Sequence, residues 1–268
     1  MKRVISVATS DSGGGAGIQA DLKSFLRCGV YGSTAIVATT AQNTVGVNGI
    51  HALPPEVAAG QIEAVAEDIG ADAVKTGMLF NAAIISAVAR TISRLELPNV
   101  VVDPVMVAES GAALLEDAAV ETYKGELFPL AAVITPNVNE AFALALPGES
   151  VDENRIEEAA TKLYGFGPGA VVITGGHTAS GDDLLFDGER FTRIEGEVHE
   201  SRATHGAGCT HSSALASFLS RGFGLEEAAW RARRVASEAV EYGLDEIGAG
   251  SGPVHALGGV LNLSEEEE

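Results

Sequence analysis

Six short apolar, β-rich runs punctuate this chain, at residues 4–8, 34–40, 71–75, 100–102, 132–134 and 170–174. Between them, residues 18–27, 56–68, 82–94, 116–127 and 152–164 carry apolar side chains three and four apart, the helical period. Ile18, Leu22, Phe25 and Leu26 set the pattern in the first of these, and Asn137 and Glu140 open a further helix. Strands that alternate with helices pair in a mostly parallel sheet covered on both faces, an α/β sandwich. Later, residues 183–186 and 190–194 flank Asp187-Gly188 and predict a β-hairpin, a candidate cover for a site. A last helix is expected over 225–242. With no internal repeat or linker, the chain reads as one domain over 1–260 followed by an acidic tail, 261–268.

In a sheet of this kind ligands bind beyond the carboxyl ends of the strands. The polar and glycine clusters fall at those ends: residues 10–17, Gln42-Asn43, 75–78, Asp103-Pro104, Asn137 and 175–177. Six strands therefore send unusual residues to one rim. A dinucleotide fingerprint is a poor match there, because Gly13 and Gly15 are followed by Ile18 where G-x-G-x-x-G needs its last glycine. The glycines instead let backbone approach a small ligand, and Asp21 in the following helix either faces that ligand or merely favours the helix N-terminus.

The stretch Thr204-His205-Gly206-Ala207-Gly208-Cys209-Thr210 runs straight into an apolar helical segment. Unpaired amides and the helix dipole at such a start form an anion site that needs no basic side chain. Cys209 lies in the first turn, where a thiol is expected to be lowered in pKa. The plainer alternative is a loop-to-helix junction with a buried cysteine. Cys28, between Arg27 and Gly29, reads as packing.

Composition narrows the partners. Thirty-seven Asp and Glu against 17 Lys and Arg give a net charge of −20. Such a surface repels nucleic acid and anionic membranes. Concentrated salt would screen it, so the composition is a halophilic one that suits a salt-rich cytoplasm. Two cysteines make no disulfide framework, no run approaches the length of a membrane span, and residues 4–8 are too brief for a signal core, so a cytoplasmic location is expected.

Taken together, Ser10-Asp11-Ser12-Gly13-Gly14-Gly15-Ala16-Gly17-Ile18-Gln19-Ala20-Asp21, Thr40-Ala41-Gln42-Asn43-Thr44, Val74-Lys75-Thr76-Gly77-Met78-Leu79, Asp103-Pro104-Val105-Met106, Thr135-Pro136-Asn137 and the turn at 204–210 resemble the hydroxymethylpyrimidine/phosphomethylpyrimidine kinases of thiamine biosynthesis. That resemblance covers residues 4–242 and implies a ribokinase-like three-layer sandwich. It implies ATP-dependent phosphorylation of 4-amino-5-hydroxymethyl-2-methylpyrimidine and then of its monophosphate, with Mg²⁺, in a homodimer. By position, Asp21 and Gln42 would hydrogen-bond the pyrimidine, and Ala16, Met78 and Val105 would pack on its ring. Asn137, Thr174, Gly175 and Gly176 would meet the nucleotide, with Asp103 and Glu140 placing the metal. Gly206, Ala207 and Gly208 would be the anion hole, and Cys209 the base.

Two positions depart from the family: Thr174 stands where a lysine is usual, and His211 where an apolar or aromatic residue is common. His211 would pack locally or tune Cys209; Lys75 would approach the site or serve a structural ion pair. His177 and His205 follow the family pattern without metal-ligand spacing. The competing functions are a pyridoxal or pyridoxine kinase of the same fold and a non-catalytic ligand-binding sensor.

Overall fold

The computed structural model describes residues 1–106, 117–176, 178 and 180–259. Its strands are β1 (Arg3–Asp11), β2 (Tyr31–Gln42), β3 (Val47–Ala52), β4 (Ala73–Thr76), β5 (Val100–Val102), β6 (Val133–Ile134), β7 (Val171–Ile173), β8 (Asp183–Phe186) and β9 (Phe191–Ile194). The α-helices are α1 (Gly17–Arg27), α2 (Pro55–Asp68), α3 (Ala82–Arg94), α4 (Asp117–Thr122), α5 (Val138–Ala145), α6 (Ile156–Tyr164), α7 (Ala207–Ser220) and α8 (Leu225–Glu241). The start of the helix expected at 116, His177 and the tail at 261–268 lie outside the described residues. None of the described helices is long and apolar enough to cross a membrane.

The nine strands among the described residues join one sheet in the order β3-β2-β1-β4-β5-β6-β7-β8-β9. From β2 to β7 the pairings are parallel, while β3, β8 and β9 are antiparallel. Strands β4 to β7 are short, and both of their faces are buried. In β5, Val100 and Val102 enter one core and Val101 the other. The first core receives Ile62, Ile85, Phe142 and Leu163 from α2, α3, α5 and α6. The second receives Phe25, Leu215 and Ala229 from α1, α7 and α8. Each fully buried valine removed from water contributes roughly 1.5–3 kcal/mol, which is why so few residues suffice for a central strand.

With both faces covered by helices, the carboxyl ends of the parallel strands are left open. The β8–β9 hairpin corrects the expectation of a cover. Asp183 starts β8 beside the end of β7, with Leu184 paired to Ile173, so the strand runs away from that rim. The turn at Asp187 sits at the opposite end, where Arg190 meets Asp187 and Glu226. The hairpin extends the sheet.

Candidate active site

The strand ends enclose a cavity of about 280 Å³. Its wall draws on every cluster singled out in the sequence: Asp11, Ala16 and Gly17; Gln42; Lys75 and Met78; Asp103 and Val105; Asn137; Thr174 and Gly176. Glu140 and the whole run Gly206, Ala207, Gly208 and Cys209 complete it. The shared rim is thus a single space, closed on its far side by α7.

Two expected members stand behind this wall. Asp21 is fully buried and absent from the lining. Its carboxylate accepts from Lys75 Nζ at 2.8 Å, from Ser213 Oγ at 2.7 Å and from the Ser6 hydroxyl. An ion pair with those hydroxyls consumes the oxygens a ligand would need, so Asp21 is an internal anchor that ties α1 to β4 and α7. Gly175 likewise turns inward: its amide donates to Asp183 Oδ1 at 2.9 Å, and a Cβ on it would sit 1.8 Å from the Asp182 carbonyl oxygen.

Lys75 fulfils both of its expected alternatives. It is wholly buried, yet it reaches the cavity wall and lies 4.0 Å from Asp103 Oδ2. Burial alone would lower its pKa, but Asp21, Cys209 and Asp103 hold it above the usual lysine value. Removing one partner of a buried pair strands the other charge. Lys75→Met is therefore expected to cost about 3–5 kcal/mol in urea denaturation. Adding Asp21→Asn should recover part of that loss; an additive double variant would count against the pairing.

Asp11 is the organiser that sequence reasoning passed over. Its Oδ1 accepts from the Gly13 amide at 2.7 Å. Its Oδ2 accepts from the amides of Gly15 at 3.1 Å and Ala16 at 2.9 Å, and lies 3.0 Å from His205 Nε2. Burial would raise this carboxyl, but the His205 bond, the amides of Ala16 and Gly13 and the His205 charge hold it below its ordinary value. An Asp just before a glycine run, able to cap the turn that follows, was the available signal. The His205 ring in turn packs where a Cβ on Gly15 would come within 2.1 Å. Loop 13–17 and the turn before α7 are thereby fastened together.

At that turn Gly206 takes φ +91°, and α7 starts with no side-chain cap. The Ala207 amide is already given to the Thr204 carbonyl at 3.0 Å, which corrects its place in the anion hole. Gly208 and Cys209 occupy the next two positions, whose amides have no acceptor within the helix. Cys209 is half-buried at the cavity wall. The expected lowering of its thiol is overturned. Burial pushes it up to about 12, with Asp103 and Asp21 adding to the rise against Lys75 and the Gly17 amide. Loss of hydration is the largest of these influences, ahead of the Lys75 charge.

On the opposite wall Asn137 caps α5, accepting from the Glu140 amide at 2.9 Å, while Glu140 Oε2 accepts from the Asn137 amide at 2.9 Å. This reciprocal box is intrinsically stabilising. Thr174 joins it through a parallel bridge to Asn137. Burial, then the Asp103 charge, raises Glu140 to about 8 against the amides of Asn137 and Met106. Burial also raises Asp103, which accepts from Ser212 Oγ at 2.9 Å. Among the described residues no cluster of three or more His, Cys, Asp and Glu is arranged to hold a metal. Asp103 and Glu140 nevertheless line one cavity, the Asp103 charge raising Glu140, and Mg²⁺ takes one or two carboxylates together with phosphate oxygens. The donor set fits that ion once a nucleotide is present.

His211 follows Gly208 by three residues on α7 and faces the end of β8. Its Nε2 lies 3.0 Å from Asp183 Oδ2, an approach without hydrogen-bond alignment. Asp183 and Arg233 also line the cavity, and neither had a signal in the sequence beyond its charge.

The chain is similar to known proteins along most of its length. Residues 11–255 match the phosphomethylpyrimidine kinase family. The hydroxymethylpyrimidine/phosphomethylpyrimidine kinase of Bacillus subtilis is 46% identical over 257 residues, covering 94% of each chain. The thiamine biosynthesis bifunctional protein ThiED of Geobacter sulfurreducens is 48% identical over 256 residues; the match covers 95% of this chain and 52% of that longer protein. Among solved structures, an ADP complex of Bacillus subtilis pyridoxal kinase superposes with a TM-score of 0.90 at 36% identity, covering 98% of this chain and all of that one.

Proposed function

Because the chain belongs to the phosphomethylpyrimidine kinase family, we propose that it transfers the terminal phosphoryl group of ATP to the hydroxymethyl group of 4-amino-5-hydroxymethyl-2-methylpyrimidine, and then to the monophosphate so formed. The fold is the ribokinase-like three-layer sandwich, and the protein is a kinase. The observation that carries the reading is one cavity with two unlike walls. Gln42, Ala16, Met78 and Val105 give it an amide and apolar side, and the uncapped start of α7 lines the same space.

In this reading the first wall holds the ring. Gln42 offers an amide to its nitrogens, steadied by Thr40 Oγ1 at 3.1 Å from Gln42 Oε1. The hydroxymethyl oxygen then lies toward Cys209, and the migrating group passes beside the amides of Gly208 and Cys209. Phosphoryl transfer has a loose transition state, so positioning and fixed dipoles outweigh the strength of the base. Each such donor typically contributes about 3 kcal/mol to the developing charge. Asp103 and Glu140 would hold Mg²⁺, which when bound neutralises charge on the phosphate oxygens. Thr174, Asn137 and Gly176 border the nucleotide. The catalytic domain spans residues 1–260, and the acidic surface suits a cytoplasm rich in salt.

The pyridoxal kinase likeness keeps a second acceptor in view, since both compounds are heteroaromatic rings bearing a hydroxymethyl group. ATP consumption with Mg²⁺, at low and high salt, separates the readings. Turnover with the pyrimidine and with its monophosphate is expected, above that with pyridoxal. Preference for pyridoxal would replace the acceptor, and no turnover with either would replace the enzyme by a sensor.

A further inference from the structure

The nucleotide reading leaves a problem of charge. The cavity wall carries Asp11, Asp103, Glu140, Asp183 and Glu197, in a chain of net charge −20, and a polyphosphate must enter it. Of the two fixed cations on that wall, Lys75 is committed to Asp21 at 2.8 Å. The other is Arg233, on α8.

Arg233 is held in place with its Nε left out of any hydrogen bond. Its side chain is 11% exposed, and its Nη2 donates to the Glu197 carbonyl at 3.0 Å. Gly196 passes so close that a Cβ there would fall 2.4 Å from Nη2 and 2.5 Å from Nε. The nearest carboxylate, Asp183, stands 3.9 Å from Nε, and its oxygens are otherwise engaged. Oδ1 accepts from the Gly175 amide, and Oδ2 faces the His211 ring. Asp183 Oδ2 and His211 Nε2 face each other at 3.0 Å, which leaves Arg233 Nε and His211 Nδ1 buried with no hydrogen-bond partner. Native proteins rarely leave such groups unsatisfied, and two in one corner of a cavity mark where a ligand belongs. A planar guanidinium with an unused N–H suits phosphate oxygens.

We propose that Arg233 is the side-chain counter-charge for the polyphosphate of the bound nucleotide, with Asp183 positioning it from behind. Thr174, at the end of β7, contributes a hydroxyl and no charge, so the cation at this end of the cavity comes from α8. The proposal rests on the kinase reading above and adds to it the residue that meets the phosphates.

The test compares ADP with adenosine, because a phosphate contact and a structural strut differ there. Loss of a strut would disturb the segment carrying Glu197, Val198 and His199, which lines the same cavity, and would weaken both ligands. Loss of a phosphate contact weakens ADP alone. By calorimetry, Arg233→Gln is expected to raise the ADP dissociation constant about 10- to 100-fold and to leave that of adenosine within about twofold. Equal losses for both ligands, or no loss for ADP, overturn the proposal. Arg233→Lys keeps the charge and serves if the glutamine variant does not fold. It should retain most of the preference for ADP over adenosine, and a preference abolished by lysine would likewise overturn it. Wild-type protein that binds neither ligand would remove the nucleotide reading itself, and with it this inference.

Discussion

Alanine in place of Gly206 is expected to lower kcat about 10²- to 10³-fold, the loss that follows removal of an oxyanion-type donor. The substitution meets two obstacles at once. Gly206 has φ +91°, a region where an alanine costs about 1–2 kcal/mol. Its Cβ would also lie 1.9 Å from the Gly15 carbonyl oxygen, an approach that neither backbone can accommodate in place. The start of α7 must then move off loop 13–17, taking the amides of Gly208 and Cys209 with it. Ala16 belongs to the same loop, so KM for the acceptor should rise as well. Steady-state kinetics of the variant, beside its thermal unfolding, measure this. A folded Gly206→Ala enzyme with wild-type kcat would show that the position of these amides does not govern transfer.

The sheet, its helices and the rim were legible because fully buried strands leave continuous apolar runs and their carboxyl ends leave polar ones. Residues 82–94 and 100–102 were read with the bounds that α3 and β5 have. β3 left no such trace. It is an edge strand, half exposed along its length, with Gly49 and His51 among its residues, and it pairs with β2 across a register shift. Asp21 shows a different limit. Helical spacing puts it on the inner side of α1, but only the fold reveals that Lys75 from β4 and Ser213 from α7 meet it there. Asp183 and Arg233 are ordinary charges in the sequence, brought together by the packing of α8 against the β8–β9 hairpin. Cys209 is the sharpest case. A first-turn position argues for an acidic thiol, whereas burial near Asp103 and Asp21 makes it a weak acid. Local sequence carries the dipole and not the neighbours.

That reversal turns Cys209 into a prediction with a sign. A base must be unprotonated to accept the alcohol proton, and a thiol raised to about 12 is almost wholly protonated at neutral pH. If Cys209 takes the proton, the active fraction grows with each step of pH below that value. Wild-type kcat should therefore climb about tenfold per unit between pH 7 and 9. Cys209→Ala should be about 10²- to 10⁴-fold slower at pH 8, the range for a lost general base, and should show no such climb. Its ADP affinity should match that of wild type, since the amides of Gly208 and Cys209 belong to the backbone and survive the change. A pH-independent wild-type rate together with a slow alanine variant would mean that the sulfur orients the acceptor hydroxyl without taking its proton. An alanine variant as fast as wild type would remove the sulfur from the chemistry altogether, leaving transfer to the helix start and to the carboxylates across the cavity.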